Sequence, residues 1–216
     1  MLFDLSALTI DQGYKLLTST VTPRPIGWVT TMSADGVINA APYSFFNAMG
    51  SDPPIVALGM MKNGEGQFKD TPANILATGE FVVNLVPEAL GPQMSITCMD
   101  APPDVDELAC AGLAQAPSAK VRPPRIAAAP VAIECRSLHN IETGPRQLLA
   151  VGQVLAIHIA DHAVIDPQRC HVDTPALGLI ARMHGSGWYA RSTDLFQMDR
   201  VTYAGWLAAQ ADGPKD

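Results

Sequence analysis

The sequence predicts a mainly β protein, a barrel with peripheral helices, on three observations. Short runs rich in β-branched and aromatic residues recur at 26–32, 55–61, 80–86, 131–141 and 148–159. Helical signals are inserted between them without a regular β-α-β alternation, which disfavours a doubly wound sheet. Of 216 residues, 48% are hydrophobic and only 16% are charged, enough apolar material for a large core and too much for disorder. One domain over 1–216 is expected, with a Pro-rich excursion over 91–130 and a flexible tail over 211–216.

Each element has a local cause. Thr9 and Gln12 fit a capping box, and Leu8, Tyr14, Leu16 and Leu17 give the helix that follows an apolar face ending near Thr22-Pro23. Ile26–Met32 reads as a strand, and Ala34-Asp35-Gly36 turns it into a hairpin with Val37–Ala41. Ser51-Asp52-Pro53-Pro54 punctuates the chain before the wholly apolar run 55–61, which suits a buried strand. Thr71 is read as an N-cap with Pro72 at the first helical position, and Gly79 stops that helix near Thr78. Between Pro87 and Pro130 eight prolines break the pattern, and only Val105 to Leu113 looks helical. The runs 131–141 and 148–159 form a long hairpin turning at Glu142-Thr143-Gly144-Pro145. Two further runs, 174–182 and 187–192, flank Gly185-Ser186-Gly187.

The formal charge is −7, with 14 basic and 21 acidic residues, so the chain has no general electrostatic attraction for nucleic acid or an anionic membrane. An anionic ligand must be held locally. The start, MLFDLSALTI, lacks the positive charge of a signal or transit peptide, and a cytoplasmic location is expected. The uncharged run Gly36 to Ser51 is 16 residues long, short of the roughly 20 needed to span a membrane. Cys98, Cys110, Cys135 and Cys170 form no C-x-x-C pair and are expected as buried, reduced thiols.

From Arg24 to Lys62 there is no further basic residue, while Thr30, Thr31, Asn39, Tyr43, Ser44 and Asn47 offer neutral hydrogen bonds. Such a stretch is either a sheet core with wet edges or a flat pocket for a neutral ring system, with Arg24, Lys62 and Lys69 at its phosphate-binding margins. A helix start at Lys69-Asp70-Thr71 either carries only its own cap or accepts a phosphate on its free N–H groups, with Asp70 opposing the charge.

His158 and His162 read as a surface pair, since a strand would hold them about 13 Å apart. No metal site is expected from them or from Asp166, His171 and Asp173. Asn63-Gly64-Glu65-Gly66 lacks the third glycine of a dinucleotide loop, and Gly185-Ser186-Gly187 lacks the spacing of a nucleophile elbow.

Three segments carry a family resemblance: TPRPIGWVTTMSADGVINAAPYSFFNAMGSDPPIVALG (22–59), KDTPANILATGEFVVNLV (69–86) and GLIARMHGSGWYAR (178–191). With them the chain resembles the flavin reductase-like proteins that have an FMN-binding split β-barrel, flavoredoxin-type members included. His184 departs from the glycine common in relatives. The resemblance implies a homodimer with FMN near the subunit interface, drawing electrons from NADH or NADPH and passing them to free flavin, a partner monooxygenase or a redox protein. A non-catalytic electron carrier is the alternative it leaves open. Carried over by position, Arg24 and Pro25 begin the flavin-lining strand, and Thr30 and Thr31 donate to the ring or ribityl chain. Ser44, Phe45, Phe46 and Asn47 form the next wall, Lys69, Asp70 and Thr71 hold the phosphate, and Arg182 and His184 face the substrate. No catalytic residue is assigned, because hydride transfer between nicotinamide and flavin needs no protein nucleophile.

Overall fold

The computed structural model describes residues 1–63 and 66–211. Seven strands form one antiparallel sheet: β1 (Gly27–Met32), β2 (Ile38–Tyr43), β3 (Phe46–Ser51), β4 (Pro54–Met61), β5 (Glu80–Leu85), β6 (Val131–Gly144) and β7 (Gln147–Ile159). Their order across the sheet is β2-β1-β5-β6-β7-β4-β3. The two edges, β2 and β3, are separated in the chain by only Ser44 and Phe45. The Tyr43-to-Phe46 step spans roughly 11 Å at most. A flat sheet of seven strands about 4.7 Å apart would hold its edges about 28 Å apart. The sheet therefore curls until its edges nearly meet, and since no ladder pairs β2 with β3 among the described residues, the result is a split β-barrel.

Helix α1 (Ile10–Thr20) opens with the expected capping box: the Gln12 N–H donates to Thr9 Oγ1 at 3.3 Å and the Thr9 N–H to Gln12 Oε1 at 2.9 Å. Its apolar face is not buried, with Tyr14 48% and Leu17 51% exposed. Helix α2 (Asp70–Thr78) is capped in position by Lys69, without a side-chain cap bond, and ends at Gly79 with φ 70°. This corrects the reading of Thr71 as the cap: its hydroxyl lies inside the first turn and donates to buried Asn39 Oδ1 at 2.6 Å. Ile75 of α2 plugs the barrel against Val29, Leu58, Met60, Phe81 and Leu148.

The excursion folds back across the outer face of β1. It carries α3 (Gly91–Ile96), α4 (Glu107–Cys110) and a short ribbon pairing Gln115–Ala116 with Arg125–Ile126. A second core of Ile26, Trp28, Met94, Leu108 and Ile126 forms beneath it. Strand β1 is thus covered on both faces, which explains why its residues are buried without alternation, Thr30 and Thr31 included. The helix expected over 105–113 shortens to Glu107–Cys110, started by the Asp106 carboxylate on the Leu108 and Ala109 N–H groups.

The β6–β7 hairpin turns at Pro145-Arg146, just beyond the expected position, because Glu142 to Gly144 remain paired in the strand. Strands β8 (Ile180–Arg182) and β9 (Tyr189–Arg191) join Arg24–Pro25 in a small separate sheet. Only Cys135 of the four cysteines is buried; Cys98, Cys110 and Cys170 are exposed because they lie on the excursion and loops rather than in strands. Burial pushes the Cys135 thiol up to about 12. The surface reading of His158 is also corrected, since half-buried His158 meets fully buried Glu134 across the β6–β7 pair. No described helix is long and apolar enough to cross a membrane. The tail expected over 211–216 begins where Ala211 closes α5 (Tyr203–Ala211), and residues 212–216, like Gly64-Glu65, lie outside the described residues.

Candidate functional site

A cleft opens along the seam of the split barrel. Its largest lobe, about 560 Å³, lies between β2, the start of α2 and the excursion, with Asn39, Lys69, Asp70, Asp100 and Glu107 in its lining. A second lobe of about 460 Å³ passes Ser44, Phe45 and Lys62 to reach Tyr14 on α1. A third, of about 160 Å³, reaches Met94, Cys98, Arg182 and Tyr189. Pro42 and Tyr43 line all three, so the lobes form one concavity around the end of β2. This is the volume and mixed lining of a small-molecule site.

The floor is a buried hydrogen-bond network. Asn39 Oδ1 accepts from the Thr71 hydroxyl at 2.6 Å and the Thr31 hydroxyl at 3.3 Å, while its Nδ2 donates to Glu107 Oε1 at 3.1 Å. Glu107 Oε2 accepts from the Ala40 N–H at 2.9 Å, and Asn74 Nδ2 donates to Thr31 at 3.0 Å. One amide thus joins β1, β2, α2 and α4 beneath the cleft. Desolvation raises the Glu107 carboxyl above its ordinary range despite these donors, and it raises Asp70 likewise, with Lys69 pulling Asp70 the other way and Asp100 adding to the rise. Desolvation also pushes the Tyr43 phenol up to about 12, so it stays protonated as a donor at neutral pH.

Anion-binding groups gather at one end. The first turn of α2 has no side-chain cap bond and Pro72 carries no N–H, so Asp70 and Thr71, both in the cleft lining, supply its leading N–H groups at the positive end of the helix dipole. Lys69 stands at that end, half-exposed, its Nζ 2.8 Å from Asp100 Oδ1. Lys62 is paired with Glu142 at 2.9 Å and lies over the Phe68 ring, 4.4 Å from its centroid. A phosphate fits this end if it replaces the Asp100 carboxylate on Lys69, and the aromatic and backbone lining at Tyr43–Phe45 fits a planar ring beside it.

The model of the flavin reductase like domain matches residues 19–172. The chain belongs to the flavin reductase-like family. An uncharacterized protein of Deinococcus radiodurans is 44% identical over 94% of this chain and 91% of its own. Among solved structures, nitrilotriacetate monooxygenase component B from Bacillus cereus is 30% identical, with a TM-score of 0.86 over 92% of this chain and 98% of that one. The Pseudomonas fluorescens 2-nitrobenzoate 2-nitroreductase NbaA is 32% identical, with a TM-score of 0.85 over 94% and 98%.

Within this family fold the expected site residues separate into groups. Ser44, Phe45, Lys69, Asp70 and Thr71 line the cleft, and Arg182 borders its smallest lobe, 4.9 Å over the Tyr189 ring. Thr71 contributes its place in the α2 first turn rather than a free hydroxyl. His184 is exposed and stacks on Trp188 at 6.1 Å, outside the lining of the three lobes.

Thr30 and Thr31 are corrected as ligand donors, because both are fully buried. Thr30 donates to the Pro124 carbonyl at 2.6 Å and Thr31 to Asn39. Arg24 is also corrected. It is buried and donates to the Thr18, Val21 and Met183 carbonyls at 2.6, 2.7 and 2.9 Å, clamping the end of α1 to the residue after β8. Arg24, Pro25, Phe46 and Asn47 line an adjoining, more apolar groove, which shares Ser44, Phe45 and Gly59 with the second lobe.

Sequence reasoning missed Asp100 and Glu107 as lining residues. Both sit on the excursion, where the Asp106 cap signals a helix but nothing local says that it packs on Asn39.

Proposed function

We propose that this chain binds FMN in the seam cleft and works as an NAD(P)H-dependent flavin reductase, passing electrons to free flavin or to a partner oxygenase. The observation that carries the reading is a family-typical split barrel whose seam opens beside an uncapped helix start. Lys69 and the first turn of α2 would hold the phosphate, and Tyr43, Ser44 and Phe45 would flank the ring. Bound FMN would supply hydride acceptance and electron transfer, while the protein orients the ring, excludes water from its face and offers hydrogen-bond donors. The names of the two similar solved proteins, a monooxygenase component and a nitroreductase, support an oxidoreductase that serves an acceptor beyond itself. We read 1–216 as one cytoplasmic FMN-binding unit acting as a homodimer. The exposed apolar side of α1 and the largely exposed edge strand β3 support the dimer.

The test is FMN titration followed by anaerobic addition of NADH and NADPH separately. Micromolar binding and rapid bleaching by one nucleotide are expected; binding of neither FMN nor FAD at micromolar concentration would overturn the site. Bleaching only through a redox protein would identify an electron carrier instead. Lys69→Ala should weaken FMN binding about tenfold, equivalent to roughly 1.4 kcal/mol, with an unchanged circular dichroism spectrum.

A further inference from the structure

Strand β9 is followed by a C-terminal arm without a seat. Among the described residues its last bond to the barrel side is the Ser192 N–H to the Leu179 carbonyl at 3.1 Å, and every residue from Thr193 to Ala208 is exposed. The exposed side chains include Leu195, Phe196, Met198, Val201, Tyr203 and Trp206, with Phe196 84% and Met198 80% accessible. Among the described residues the contacts of α5 stay within the arm: the Trp206 N–H donates to the Thr202 carbonyl at 2.9 Å, the Gly205 N–H to the Thr202 hydroxyl at 3.1 Å, and Tyr203 stacks on Trp206 at 6.2 Å.

Such a segment needs a cover. α5 (YAGWLAAQA) carries no charged residue and hence no face suited to water, and a nine-residue helix is marginal in isolation. The chain also presents an unfilled apolar groove of about 370 Å³ between the end of α1 and strands β3, β4 and β7, where Leu17, Val21, Phe46, Met49 and Leu149 are among the lining residues. The ten residues from Thr193 to Thr202 reach roughly 33 Å when extended, and α5 adds about 13 Å. A protomer of this length has a radius of gyration of about 17 Å, so the arm is long enough to cross onto a neighbour.

We propose that the arm exchanges between two copies, α5 and the preceding apolar residues of one chain seating in the Leu17–Val21–Met49 groove of the other. A two-fold axis makes this reciprocal, so both arms and both grooves are covered at once and the contact closes on itself. A second copy fits better than an anionic membrane, since α5 has no Lys or Arg and the chain carries −7. The inference rests on the homodimer reading above and goes beyond it by naming the element that holds the dimer together.

The test compares the full chain, a chain ending at Ser192, and the full-length Trp206→Asp/Leu207→Asp variant. Sedimentation across concentrations is read with amide exchange of the arm, including in vesicles containing anionic lipid. The full chain should be dimeric, with its 195–207 amides protected in the dimer and released on dilution, and both altered chains should dissociate at least tenfold more readily. A monomeric full chain would remove the dimer reading and this proposal together. A dimer equally tight in both altered chains, or an arm protected in the monomer or only on vesicles, would overturn the exchange and leave the dimer reading standing. If the shortened chain does not fold, the full-length variant decides.

Discussion

Glu107 and Glu134 are both buried, at 4% and 0% exposure, yet they are held in opposite ways. Glu134, on β6, accepts from the Ala119 N–H at 2.7 Å, from the Lys120 N–H and from His158. Desolvation pushes its carboxyl up, but these donors outweigh it and leave the group below the ordinary range. Glu107, under the cleft, loses water by more than the Ala40 N–H, its own N–H and Asn39 Nδ2 offset, Asp70 nearby adds repulsion, and nothing plays the part that His158 plays for Glu134; its carboxyl rises. Burial alone therefore does not set the charge of a carboxylate; the donors aimed at it do. The first glutamate latches the 119–120 loop to the barrel wall, while the second leaves the cleft floor a group that holds its proton more firmly.

The largest effect is expected on breaking the latch. Glu134→Gln replaces one acceptor oxygen by an amide that faces donors, and should destabilise the protein by about 3 kcal/mol in urea at neutral pH. Its folded-state value is lowered, so the native contribution is complete above the ordinary carboxylate range and is lost as pH falls through the lowered value. The gap between wild type and this variant should narrow on acidification.

A smaller effect is expected at the cleft. Glu107→Gln sets an amide against either the Ala40 N–H or Asn39 Nδ2, and Asn39 cannot flip without losing Thr71 and Thr31; about 1–2 kcal/mol should be lost. Here the pH dependence has the opposite sign. A raised folded value means that the contribution is complete below the ordinary carboxylate range and is lost as pH rises through the raised value, so the advantage of wild type over this variant should shrink toward neutral pH. Urea midpoints for both variants between about pH 3 and pH 7, below the ordinary carboxylate value for Glu134 and above it for Glu107, check the contrast, and parallel curves would remove it. The smallest change is Asp100→Asn, which frees Lys69 without touching the core. Stability should stay the same, and FMN should bind two- to fivefold more tightly, on the order of 0.5–1 kcal/mol, by fluorescence titration.

Legibility followed the range of the interactions. The capping box at Thr9, the Gly79 stop and the hairpin after Met32 were readable, as was the strand character of 26–32 and 80–86. The wall at Ser44 and Phe45 and the helix start at Lys69 were also placed on the cleft. What was not readable was which polar groups remain available to a ligand. Thr30, Thr31 and Arg24 carry donors suited to an anion or a ring, and each is committed to a partner inside the fold. The excursion was recognised by its prolines, but its short helices gave too little periodicity to show that Glu107 reaches Asn39, or that it covers Trp28 and thereby buries β1 twice.

The sequence by itself determined the capped start of α1, the stop of α2 and the strand character of 26–32, 55–61 and 80–86, whereas the two-residue link between β2 and β3 curls the sheet only because the tertiary structure makes those strands its edges. Only the tertiary structure decided which residues face the cleft. Thr30 finds its acceptor 94 residues away at Pro124, and Asn39 finds Glu107 68 residues away. Partners at that separation are chosen by the packing of the whole barrel, and the local pattern around a residue carries no record of them.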